Sequence, residues 1–165
     1  MSDIYWVLAV GIITVCLVFW LIRYARRVDR LHRRVIQARI TLDKRLRDRR
    51  VAVETLITRA SANDDEVDAL RTALDTARHV SDEQSESTLS RTLRQYRTHP
   101  RCVLNEDQHM ASQLQSTADE LRAARRFYNQ EVEQVRRIRS RIVVRIFHLA
   151  GRAELPRTFD MDDRY

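Results

Sequence analysis

The sequence predicts an all-α chain in which an N-terminal transmembrane helix leads into an elongated antiparallel four-helix bundle. Three observations carry this. Residues 4–22, IYWVLAVGIITVCLVFWLI, form one uncharged apolar run. No glycine or proline stands between Gly11 and Pro100, although turns and strands draw heavily on both. Beyond the run, apolar residues recur at helical spacing along two long segments.

The apolar run is 19 residues long. At about 1.5 Å per residue it reaches roughly 28 Å, enough to cross a hydrocarbon core of about 30 Å. A cleaved signal peptide would need a basic leader and small residues at a cleavage site. Here Asp3 precedes the run and bulky Phe19, Trp20, Leu21 and Ile22 close it, so it reads as an uncleaved anchor. Tyr5 and Trp6 at one end, and Trp20 and Tyr24 at the other, suit the two membrane interfaces. Gly11 has no small residue four positions away except Val15, so close helix packing through paired small residues is not indicated.

The first cytoplasmic helix is expected to run to about Ala60, carrying Val28, Leu31, Val35, Ala38, Leu42, Leu46, Val53, Leu56, Ile57 and Ala60 on one face. Arg45 and Arg49 interrupt that face and are expected at its edge, with stems packed and heads in water. Three pairs mark later helix starts: Asn63 with Glu66, Ser81 with Gln84, and Asn105 with Gln108. Acidic residues crowd each first turn, where the helix dipole favours them. His99-Pro100 adds a break. Helices are thus expected near 64–79, 82–98 and 105–149, with Gly151 closing the last. In that last helix Leu114, Leu121, Tyr128, Val135, Ile142 and Leu149 recur every seven residues, the repeat of a helix packed on a partner. The long segments, roughly 57 and 67 Å at 1.5 Å per residue, fit together only if the last helix returns beside the first.

Charge is uneven. Residues 23–60 hold 13 basic and 4 acidic groups, residues 61–120 hold 6 and 12, and residues 121–165 hold 11 and 6. Arg23, Arg26, Arg27, Arg30, Arg33 and Arg34 follow the apolar run at once, placing that side in the cytoplasm. The division expected is an external N-terminus at 1–3, a span at 4–22, a cytoplasmic bundle at 23–150 and a tail at 151–165. A returning last helix would bring Arg136, Arg137, Arg139, Arg141 and Arg145 to the same leaflet, where anionic lipid attracts arginine. Cys16 and Cys102 cannot staple the domain, which suits a reducing compartment.

Chemistry is sparse. His99, Cys102 and His109 lack a fourth ligand at zinc spacing. Asp160-Met161-Asp162-Asp163 lacks the glycine and closing glutamate of a calcium loop and reads as a solvated tail. No phosphate loop, zinc-helix motif or nucleophile elbow occurs. Neither catalysis nor a metal or other cofactor is expected.

On the last helix, ARRFYNQEV (124–132) resembles the Arg-aromatic-Tyr-Asn signature of the bacterial LemA family. The membrane span, LDKRLRD on the first helix, YRTHP in the middle and the IFHLAGRAELPRTF exit follow a similar order. Two departures stand out: RRVAVETL lacks a proline after the basic stretch, and VRRIRSRIVV replaces a second Asn with its Phe-Pro pair. The resemblance implies a membrane-anchored antiparallel helical protein without a settled activity, and it singles out Arg125, Tyr128 and Asn129. From the residues themselves, Tyr128 reads as a seam position with Asn129 bonding across the bundle.

The expected function is that of a noncatalytic membrane-anchored scaffold or adaptor for protein partners. The alternative is an envelope sensor whose basic helix ends bind anionic lipid. No nucleic-acid reader motif accompanies the basic charge, so nucleic acid is not an expected partner. Homo-oligomerisation is left open.

Overall fold

A computed structural model describes residues 2–60, 65–100, 102–139 and 156–162. Four α-helices account for nearly all of them: α1 (Ser2–Arg59), α2 (Asp65–Val80), α3 (Glu83–Thr98) and α4 (Gln108–Arg139), with a 3-10 turn at Val103–Asn105. No strand occurs among the described residues. The expected Asn63 start and the continuation of the last helix through Ile142 and Leu149 to Gly151 lie outside them.

Helix α1 passes without interruption from the apolar run into the basic stretch. Its first part is long and apolar enough to cross a membrane, and none of that window is buried within the protein. Large side chains there stand open, Trp6 at 72% and Val7 at 73%. At the end of the run Trp20 stacks on Tyr24, and the Arg23 guanidinium lies over the Phe19 ring.

The chain divides into two compact units: Met1–Gln37 with Glu131–Arg157, and Ala38–Gln130 with Thr158–Tyr165. In the first, Leu31, Val35, Val132 and Val135 are buried. In the second, all four helices feed one apolar cluster, from Val53 and Leu56 of α1 through Leu70 and Leu74 of α2 and Leu89 and Leu93 of α3 to Leu114 of α4. Tyr96 and Cys102 belong to it as well, and the Tyr96 hydroxyl accepts a hydrogen bond from the Val103 amide at 3.3 Å. Leu121 and Tyr128 are buried further along α4, as the seven-residue repeat requires.

Two helix starts lie elsewhere than expected. Ser81 takes a left-handed turn at φ 52° and donates its amide to Ala77 O at 3.2 Å, which closes α2 without a glycine. That leaves Asp82, not Ser81, to cap α3. Its carboxylate accepts from the Ser85 amide at 2.7 Å, and Ser85 Oγ accepts from the Asp82 amide at 3.2 Å. Likewise Asn105 is consumed by the 3-10 turn, and Asp107 accepts from the Met110 amide at 2.9 Å at the start of α4. In both cases a tight turn uses the first polar residue, so the next carboxylate serves the helix.

Candidate functional site

Within the second unit, residues of the C-terminal segment lie extended against α1, α3 and α4. Phe159 and Met161 are buried while Asp160 between them is exposed, the alternation of an extended strand. The segment is held largely by its backbone. Asn129 on α4 donates from Nδ2 to Phe159 O at 3.0 Å and accepts from the Phe159 amide at Oδ1 at 2.8 Å. One side-chain amide thus satisfies both backbone polar groups of one residue. Arg125, one turn earlier on α4, donates to Met161 O at 2.9 Å and lies 3.5 Å from the Asp160 carboxylate. From α3, Ser87 Oγ accepts from the Asp162 amide at 3.0 Å and Arg94 pairs with the Asp162 carboxylate at 3.1 Å. The Arg39 guanidinium of α1 lies 5.3 Å from the Phe159 ring centre and 5.7 Å from that of Tyr128, within cation–π range of both.

These contacts revise two expectations. Asn129 does not bond across to another helix; both ends of its amide go to the tail backbone. Nor is the acidic tail simply solvated, because its two apolar side chains are buried and Asp162 is ion-paired. The three residues singled out by resemblance, Arg125, Tyr128 and Asn129, therefore share one place. Arg39, Ser87, Arg94, Phe159 and Met161 complete it. Their only sequence signal is the alternation of Phe159, Asp160 and Met161, which is too short to read as a strand.

A second polar centre lies inside the same unit. Glu86 on α3 is fully buried, and its carboxylate pairs with Arg49 and Arg50 of α1, Arg50 Nε donating at 2.8 Å. Arg49 also donates to Ser90 Oγ at 2.7 Å, and Arg50 to Ser81 Oγ at 3.1 Å. The head of Arg49 is not in water, contrary to what a place at the edge of the apolar face predicts: its side chain is only 6% exposed. A carboxylate without water needs such donors, and the paired guanidiniums supply them. Arg45, by contrast, sits at the edge as expected, pairing with Asp48 and with Glu120 of α4.

Of the basic residues proposed to face lipid, Arg23, Arg26, Arg27, Arg30, Arg33 and Arg34 are exposed on α1, with Arg33 paired to Asp29 at 2.9 Å. Arg137 is exposed on α4. Arg136 is half-buried, donating to Pro156 O at 3.2 Å and to Glu133. The Arg139 side chain and residues Arg141 and Arg145 lie outside what is described. Cys102 is packed in the apolar cluster, away from solvent.

No family model, curated protein or solved structure matches the chain.

Proposed function

We propose that the chain is a noncatalytic, membrane-anchored helical scaffold or adaptor, similar to LemA family proteins, with residues 23–150 forming an elongated antiparallel four-helix bundle in the cytoplasm. The observation that carries the anchoring is the bare apolar surface of the first part of α1, none of it buried. Exposed apolar surface on this scale is unfavourable in water and favourable in lipid. The arginines that follow favour the cytoplasmic side.

Contacts between α1 and α4 support the antiparallel reading. Arg59 pairs with Asp107, Arg45 with Glu120, and Arg39 lies over Tyr128, so positions fall along α1 as they rise along α4. An up-down bundle of this kind presents long helix faces, suited to binding partners. The test is a reporter active only outside the cytoplasm, fused to Tyr165. No activity is expected, and strong activity would overturn the cytoplasmic assignment.

A second reading is favoured by the exposed collar Arg23–Arg34: an envelope sensor that reads leaflet charge. Each exposed arginine near an anionic surface gains about 1 kcal/mol. On that reading, anionic nanodiscs should raise the melting temperature of the full chain over neutral ones, and salt should abolish the gain. Equal melting in both lipids would leave the plain scaffold.

A further inference from the structure

The contacts that hold residues 159–162 resemble those that hold an extended peptide in a recognition groove. Asn129 reads the amide and the carbonyl of Phe159, Arg125 the carbonyl of Met161, and Ser87 the amide of Asp162. Any extended backbone offers these groups, so they provide affinity independent of sequence. Selectivity comes from the side chains. Phe159 and Met161 are each 4% exposed, and Phe159 lies in range of Arg39. Arg125 and Arg94 face the carboxylates of Asp160 and Asp162. Main-chain capture, two alternate apolar anchors and a basic rim together define what the groove accepts.

We infer that this groove is a peptide-recognition site for an extended acidic segment of a partner protein, in which an aromatic and a second large apolar residue alternate with carboxylates, and that the chain's own tail is its resident occupant. The inference deepens the scaffold reading by naming the partner's chemistry. It does not depend on which side of the membrane the domain lies. An attached tail acts at an effective concentration of about millimolar, so a partner segment present below that concentration displaces it only by binding the groove more tightly than the tail segment does. The tail thus sets a threshold for partner binding.

The test uses the full chain in nanodiscs and the synthetic peptide PRTFDMD, with a control in which Phe and the following Asp are exchanged. A Phe159→Ala, Met161→Ala chain, whose tail has lost both anchors, should bind the peptide at least about tenfold more tightly than the unaltered chain. Adding Asn129→Asp, which keeps the acceptor for the amide and loses the donor to the carbonyl, should remove most of that binding, and the exchanged control should bind weakly in every case. Unchanged circular dichroism shows that the helices persist. Should the double variant unfold, amide exchange in the unaltered chain decides: saturating peptide should speed exchange at Phe159, whose amide Asn129 holds. No peptide binding to the folded double variant, equal binding by both peptides, or unchanged Phe159 exchange would each overturn the proposal. Tail-dependent co-purification of two differently tagged chains would assign the occupant to a second copy and overturn the assignment to a different partner. Failure in any of these ways leaves the anchoring and its reporter test untouched.

Discussion

At Glu86 a single buried carboxylate pairs with two guanidiniums inside the helical domain, so its removal takes the ion pair from both. We expect Glu86→Ala to cost about 3–5 kcal/mol, the range for breaking a buried pair from one side. The exposed Arg33–Asp29 pair is different, because water and salt screen it. Arg33→Ala should cost less than about 0.5 kcal/mol. Denaturant unfolding of the full chain in detergent, followed by far-ultraviolet circular dichroism, compares the two. Similar losses would refute the buried role of Glu86. Two caps add a pH dependence. The Ser85 amide holds the Asp82 carboxyl below its ordinary value of 3.8, and the Met110 amide, helped by Arg59, does the same for Asp107. A depressed carboxyl contributes stability that is complete above its unfolded pKa and is lost as pH falls through the folded one. Melting temperature should therefore fall as the pH drops below about 4, and less steeply in an Asp82→Asn, Asp107→Asn variant. An identical acid slope would show that neither cap matters.

The helices themselves follow from local rules. Apolar spacing marked the buried face of α1 and of α4 correctly at Leu42, Leu46, Val53, Leu56, Leu114, Leu121 and Tyr128. Spacing is legible because a helix presents residues three and four apart on one side, whatever it packs against. Helix starts were legible only to within a residue or two, since neighbouring Ser, Asp and Asn can all cap. The left-handed turn at Ser81 decided between them. The buried face can be tested directly. Leu121 is 2% exposed, so Leu121→Asp should destabilise by about 3 kcal/mol or more by burying an unpaired charge. Thr72 is exposed on α2, and Thr72→Asp should stay within about 0.5 kcal/mol of the unaltered chain. Equal thermal melting of the two variants would remove the heptad assignment.

For the whole molecule, the proposed orientation makes the strongest claim. Replacing Arg23, Arg26, Arg27, Arg30, Arg33 and Arg34 with glutamine, and Ser2 with lysine, should reverse or mix the topology, because the charge bias that sets it would be gone. Protease accessibility of Tyr165 in inverted vesicles reports the outcome; an unchanged orientation would show that another feature sets it. What the sequence determined alone was the apolar run, the basic collar after it and the helical identity of α1 to α4. Each is a sum over neighbours in the chain, through hydropathy, charge count or period. Tertiary structure alone decided which polar groups meet. Glu86 finds Arg49 and Arg50 at separations of 37 and 36 residues, and Asn129 finds Phe159 across 30. Arginine, aspartate and glutamate recur along this chain, so residue type cannot select among partners. Hydrogen bonds and ion pairs depend on distance in space, and only the packed helices bring those atoms within reach.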